Sequence, residues 1–448
     1  MTSARRPLAG GPSWRAWLIW SVAVAGYVLA VTNRSSLSAV GVDAADRFGA
    51  DASTLSLFAV IQLGVYGGMQ IPVGVLLDRF GSRPVMTVGM VLMALGQLVM
   101  AISPSVGIAL VARVLLGAGD AAIFPGVIRL IATWFPAQRA PVMVQLTGIV
   151  GQAGQLVAVI PLAALLHATS WTITFGSVAG LGLVFAILIA LVVRNHPPEL
   201  ERDVSINTDT GAIRVVTSTV DTGVGIRAAW AHPGTRLAFW SHFTTPFAGT
   251  AFVLLWGMPF LTVGEGRTVA EAAGILSIYV VVGMGLGPIM GGLSQRLPRH
   301  RSRALVLPSV AAQAVAWAVV IAFPGPAPLW LLFALAVALA MGGPASLIAF
   351  DHARTHNPAQ RLSTATGVTN AGGFLAALIA IYLIGLALDI QGAGTPDTYT
   401  LQAFRIAFLT QFPLWAVGTF FIVRERRRTL IRLGLVSPRT PRRTERSR

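Results

Sequence analysis

Two stretches of this chain place ionisable side chains among apolar neighbours. The first is Asn33-Arg34-Ser35-Ser36; the second is R-V-L-L-G-A-G-D, in which Arg113 and Asp120 stand seven residues apart. Seven residues are two helical turns, so on a helix both side chains project from one face, about 10 Å apart along the axis. That separation is too long for a firm direct ion pair and suits a ligand or a water between the two groups. Gly117 lies on the same stripe and puts no side chain in the way. A charge inside an apolar helix costs about 2.5–3.5 kcal/mol on insertion scales, so each of these three needs a reason. Structural reasons compete with ligand binding: Arg34 reaching to headgroups, Arg113 bonding carbonyls of the first segment, or Asp120 serving as an arginine's permanent counterion.

Any helices that position these residues must be apolar. Hydrophobic residues make up 54% of the chain, charged ones 11%, and the mean hydropathy is +0.71, whereas soluble domains carry about 25% charged residues. This composition is that of a membrane protein. Solid apolar runs long enough to cross a bilayer as helix lie near 14–38, 52–77, 84–102, 107–133, 140–166, 171–193, 235–263, 269–294, 303–323, 328–351, 362–388 and 400–423, which predicts twelve spans. A β-barrel would show short alternating segments instead. The first run follows early arginines but is as long as a span and precedes no small-residue cleavage site, so it reads as a retained helix. Cysteine is absent, and no metal or cofactor is expected.

The net charge of +16 is carried by arginine alone, since the chain has no lysine. Arg79 and Arg83 fall between segments 2 and 3, Arg139 between 4 and 5, Arg296, Arg299, Arg301 and Arg303 between 8 and 9, Arg354 and Arg361 between 10 and 11. The opposite loops hold only Arg47, Arg267 and Arg405. The positive-inside rule then predicts a multi-pass cell-membrane protein with both termini cytoplasmic. The basic tail, 424–448, is expected to lie along anionic lipid headgroups rather than on nucleic acid. Residues 194–234 turn polar and read as a cytoplasmic linker, within which GIRAAW (225–230) can form a short surface helix. The expected domains are 1–193 and 235–423, each of six helices.

The halves repeat. Pro136-Ala137-Gln138-Arg139 returns as Pro358-Ala359-Gln360-Arg361, 222 positions later; GVLLDRFGSR (74–83) returns in degenerate form as GGLSQRLPRH (291–300), 217 positions later. Both pairs fall at equivalent places, after segments 4 and 10 and after segments 2 and 8, so duplication explains them better than chance. Two six-helix halves of this kind are the architecture of transporters that rock around a midplane site. Arg129 and Asp351 also occupy equivalent positions, and opposite charges there predict an ion pair between the halves, with Asp351–Arg354 at i, i+3 as the local alternative.

GVLLDRFGSR resembles the loop signature G-x-x-x-D-R-x-G-x-R of the major facilitator superfamily, and the resemblance extends over all twelve segments. It implies an all-α fold of two pseudo-symmetric halves, with Gly74, Asp78, Arg79, Gly81 and Arg83 as a conformational switch. Gly74 permits close helix approach, Asp78 can pair with Arg83 or face a helix N-terminus, and Gly81 makes the tight turn. NRSSLS (33–38), RVLLGAGDAAIFP (113–125) and Trp134-Phe135-Pro136 are similar to the organic-anion, or anion:cation symporter, branch. That resemblance implies that Arg34 and Arg113 hold an anion and that Asp120 takes a coupling proton. Asn33 stands where many proton-coupled members have Asp. Tyr27, Gln152, Tyr279 and Asn370 complete the expected substrate site; Gln155, His242, Thr244 and Thr245 are further polar residues in spans. The expected activity is proton-coupled uptake of a small organic anion by a monomer. Drug or metabolite export, nitrate/nitrite transport and solute sensing are the alternatives; no P-loop, H-E-x-x-H or G-x-S-x-G site supports an enzyme.

Overall fold

The computed structural model describes residues 13–39, 41–49, 52–197, 222–393 and 398–435. The N-terminal arginines Arg5 and Arg6, most of the linker and the end of the tail lie outside them. Among the described residues, eleven helical runs are long and apolar enough to cross a membrane. The remaining expected span, 140–166, is helical over 140–168 but contains a π-turn at Ala158–Leu162 around Pro161, which lacks the N–H a regular helix needs there.

The spans, in order, are α1 (Trp14–Ala39), α2 (Ala52–Phe80), α3 (Ser82–Ile102), α4 (Val106–Trp134), α5 (140–168), α6 (Trp171–Val192), α7 (Pro233–Gly264), α8 (Val269–Arg296), α9 (Ser302–Ala322), α10 (Leu329–His356), α11 (Leu362–Ile390) and α12 (Leu401–Arg432). A short helix, Thr222–Ala231, precedes α7 over the stretch that includes GIRAAW. α12 continues nine residues past its expected end, because Glu425 is buried and binds Arg236 of α7 at 2.8 Å and Arg428 at 2.9 Å.

Each half has its own apolar core, one around Met86, Met90, Phe175 and Ile189, the other around Phe252, Phe260, Trp317 and Phe408. The duplication is visible in the backbone. α4 breaks at Ala121-Ala122, directly after Asp120, and α10 breaks at Met341, directly before Gly342. Asp120 and Gly342 are separated by the same 222 positions as the two PAQR sequences.

The halves cross at two equivalent places. A Cβ on Gly74 of α2 would stand 2.6 Å from the Ser363 carbonyl and 3.0 Å from Thr364 Cα of α11; one on Gly291 of α8 would stand 3.2 Å from Val142 Cα of α5. Gly74 and Gly291 are one repeat apart, and so are Val142 and Thr364. Along α2 the contact with α11 extends to Gly67, against Phe374, and one turn beyond, Gly64 meets open space. Along α8 the contact with α5 includes Gly287, where a Cβ would stand 2.7 Å from Ile149. The halves therefore meet at the arginine-rich end that carries the α2–α3 and α8–α9 loops, and they diverge toward the other end.

Candidate functional site

Asp78 organises the closed end. Its carboxylate accepts from the backbone N–H groups of Ser363 (2.9 Å) and Thr364 (2.7 Å), the Thr364 hydroxyl (2.6 Å) and Arg129 Nη1 (2.7 Å). A side chain of one half thus caps the first helix turn of the other, where unpaired N–H groups and the helix dipole favour an anion. Arg129 also donates to Ser363 Oγ at 2.8 Å. Gly81 takes φ +84°, open to glycine and strained for other residues, and turns the chain into α3. Arg83 donates from Nε to the Ala190 carbonyl of α6 at 2.7 Å, not to Asp78. Arg79 is exposed and lies over the Phe80 ring.

The repeat explains why the second copy has lost its acid. Gln295 is the counterpart of Asp78, and Pro141 is the counterpart of Ser363. Proline has no N–H, so the start of α5 offers one donor fewer to cap.

The expected Arg129–Asp351 pair does not form. Arg129 is engaged by Asp78 and Ser363, while Asp351 is buried within its own half against Ser294 Oγ at 2.5 Å, Arg354 at 3.6 Å and Arg301 at 4.0 Å. Each charge has a nearer partner on a helix that does not need to cross the interface. Exchanging Asp78 and Arg129 (Asp78→Arg with Arg129→Asp) is therefore expected to leave transport at least about tenfold down, like either single change. A cation at position 78 repels the N-terminus of α11 even with the ion pair restored. Recovery in the double variant, measured as initial uptake rate, would show that the pair alone matters.

About midway along the helices lies a second polar cluster. Arg34 donates from Nε and Nη2 to the two oxygens of Asp120 at 2.8 and 3.0 Å, a bidentate pair. Its guanidinium carbon stands 4.7 Å from the centroid of the Tyr66 ring. Asn370 of α11 donates to Tyr66 Oη (3.3 Å) and to Gln70 Oε1 (2.7 Å), so this cluster also bridges the halves. Tyr27 is within electrostatic reach of Arg34 and Asp120 and packs 5.2 Å from Phe124. His242 contacts Asn370, donates from Nδ1 to the Ser346 carbonyl at 3.1 Å and lies 5.0 Å from Phe350.

Arg113 stands apart from this pair. It is 1% exposed and donates from Nη1 to Gln62 Oε1 at 2.9 Å, while its Nε and Nη2 have no partner. Among the described residues no carboxylate pairs with it. Its stripe partner Gly117 serves packing and not access: a Cβ there would stand 2.5 Å from the Gln62 carbonyl of α2. Asn33 turns away to accept from Gln97 Nε2 at 2.5 Å. The expectation that Arg113 and Asp120 share a ligand between them meets an Asp120 already held by Arg34.

Two other expected site residues are not brought to the cluster. Tyr279 packs over Gly249 of α7, where a Cβ would stand 2.7 Å from its hydroxyl. Gln152 is exposed, two turns beyond Gln145 on the face of α5 that meets α8, and accepts from Gln155 Nε2 at 2.6 Å. Thr244 and Thr245 donate to carbonyls of their own helix. Sequence reading missed Gln62, Tyr66 and Gln70, although polar residues at i, i+4 and i+8 of an apolar helix form one stripe.

The fold is similar to that of the proton:xylose symporter XylE, with a TM-score of 0.64 at 16% identity over 91% of this chain and 96% of that one. It is also similar to the fucose:proton symporter FucP of E. coli, with a TM-score of 0.61 at 17% identity over 89% and 97%. In sequence the chain is 25% identical to the probable galactarate/D-glucarate transporter GudP of Escherichia coli (strain K12), over 58% of this chain and 61% of the relative. It is 28% identical to the probable L-galactonate transporter of the same organism, over 40% of this chain and 39% of the relative. The matches thus span less than two thirds of either relative's length. The family model described as Major Facilitator Superfamily matches residues 23–431, and with two six-helix halves meeting at a capped junction the chain belongs to that family of membrane transporters.

Proposed function

We propose that this transporter carries a small organic anion of the sugar-acid class into the cell together with a proton, by alternating access. In this reading the arginine-rich end faces the cytoplasm, so the structure is closed inside and open outside. The observation that carries the proposal is two arginines deep in the spans for one carboxylate: Arg34, partly exposed, is matched by Asp120, and the fully buried Arg113 is matched by none among the described residues. An unneutralised guanidinium at this depth calls for an anionic ligand. The match to probable galactarate/D-glucarate and L-galactonate transporters supports the sugar-acid class.

Coupling follows from competition for Arg34. A substrate carboxylate cannot take the guanidinium fork while Asp120 fills it; protonating Asp120 frees the fork. The three side chains of the empty site sum to one positive charge. With Asp120 protonated and a monoanion such as galactonate bound, they sum to one again, so empty and fully loaded carriers present the same net charge during reorientation. A site loaded with anion alone or proton alone does not. A dianion such as galactarate would need a second proton for the same balance.

In a thermal-shift series on the purified protein, glucarate, galactarate and galactonate are expected to stabilise it, with neutral sugars and nitrate inert. Stabilisation by nitrate or by neutral sugars instead would overturn the sugar-acid reading. Arg34→Lys and Arg113→Lys are each expected to weaken binding by about tenfold or more although the charge is kept, because a planar fork becomes a point donor. Near-normal affinity in both variants would make the arginines structural.

A further inference from the structure

At the arginine-rich end of the second half, away from the central cluster, three helix termini line an open pocket of about 240 Å³. It is lined by His232 at the start of α7, Thr355 and His356 at the end of α10, and Thr429, Arg432 and Leu433 at the end of α12. Among the described residues no carboxylate lines it. We infer that this cavity is a binding site for a phosphate-bearing anion.

The hydrogen-bond pattern shows what the cavity offers. His232 Nδ1 accepts from the Gly234 N–H at 3.1 Å, so in the neutral ring the proton sits on Nε2, free to donate. Thr355 and Thr429 give their hydroxyl protons to the Asp351 and Glu425 carbonyls at 2.6 and 2.8 Å and are not the donors. The donors are His232, His356 and the Arg432 guanidinium, one from each helix end. Such a three-sided arrangement suits a tetrahedral oxyanion better than a planar carboxylate.

The surrounding charge has one sign. The His232 and His356 rings lie 6.1 Å apart and nearly parallel, with His352 stacked 6.4 Å beyond. Burial first, then the fields of Arg432, Arg361 and Arg236, hold His232 below its ordinary pKa. Arg301 adds its field at His356 and donates to Thr355 Oγ1 at 3.1 Å. Two described carboxylates on the same helices are spent elsewhere: Glu425 on Arg236 and Arg428, Asp351 on Ser294, Arg301 and Arg354. Among the described residues these histidines and arginines gather without a counterion, which leaves a field that a phosphate dianion or a phospholipid headgroup would neutralise.

Histidine-labelled full-length protein in nanodiscs separates these two sources by NMR, with the His232 and His356 ring signals assigned from the variants that lack them. In phosphatidylcholine discs, inorganic phosphate is expected to move both signals with half-saturation at about 1 mM or tighter if the ligand is a free phosphate. If it is a headgroup, replacing part of the phosphatidylcholine by phosphatidylglycerol moves them with no phosphate added. In either case Arg432→Gln, at an exposed helix end, is expected to weaken the response about tenfold, with the His242 signal unchanged as the check on folding. The response should persist in Arg34→Lys, which keeps this test independent of the transport reading. Signals that move with neither addition, or that respond equally in Arg432→Gln, would overturn the proposal.

Discussion

Replacing Gly74 with leucine is expected to slow uptake by roughly 5- to 150-fold while leaving the protein folded. The cause is steric and confined to one state. A Cβ at position 74 would stand 2.6 Å from the Ser363 carbonyl and 3.0 Å from Thr364 Cα, both backbone atoms of the opposite half that cannot rotate away. Over-packing of this kind costs about 1–3 kcal/mol. Here the cost falls on the arrangement in which α2 and α11 cross closely, and not on the one in which they part, so it becomes a bias of the same size between them. The Asp78 cap adds to the effect, because holding the helices apart also leaves the Ser363 and Thr364 N–H groups without their acceptor. The chain contains no cysteine, so a single Gln152→Cys reports the open end without background. Its thiol reactivity is expected to fall in the leucine variant as the population moves to the opposite state. Wild-type uptake, or lost uptake with unchanged labelling, would remove this crossing from the mechanism.

Asp120→Asn is expected to abolish accumulation driven by a pH gradient while sparing exchange of solute for solute. Asparagine keeps the size of the side chain but offers Arg34 one acceptor oxygen in place of two, and it cannot take a proton. Removing one member of a buried ion pair ordinarily costs about 3–5 kcal/mol because the other charge is stranded. In this site the stranded Arg34 has a remedy, the substrate carboxylate, so the variant resembles the protonated carrier fixed in place. Anion binding should then persist and lose its dependence on pH. The measurement is paired: labelled sugar acid accumulated in proteoliposomes under an inward proton gradient, and the same solute exchanged with none. Retained proton-driven accumulation would remove Asp120 from coupling; loss of both activities would assign it to structure.

What the sequence by itself determined is the architecture, and the reason is the membrane. A helix in lipid must bond its own backbone and be apolar for about 20 residues, so spans are written in composition. Duplication is written in repeated residues, and the structure adds the shared breaks beside Asp120 and Gly342. The loop signature singled out Gly74, Asp78 and Gly81, since close approach, an anion beside Arg83 or a helix N-terminus, and a tight turn each demand a particular residue type; that they sit where the halves meet came from the structure. Arg34, Arg113 and Asp120 stood out because a charge in lipid is too costly to be incidental.

Pairing was decided only by the tertiary structure. Three charges on two helices allow several matches, and spacing within α4 could not show that Arg34, 86 residues before Asp120, reaches it with both nitrogens. The same limit misassigned Arg129 and Asp351: equivalence by sequence brings two helix ends to related places, but a side chain takes the nearest partner, and Asp78 and Ser294 are nearer. Gly117 looked like an opening and is a contact, because its neighbour across the helix pair is a backbone carbonyl that sequence does not locate. The α2 stripe of Gln62, Tyr66 and Gln70 was legible as a period of four, yet only docking against α4 and α11 gave each of them a partner. Helix formation is local and periodic, so one chain records it; the choice among competing polar partners depends on packing distances of a few ångströms between residues far apart in sequence.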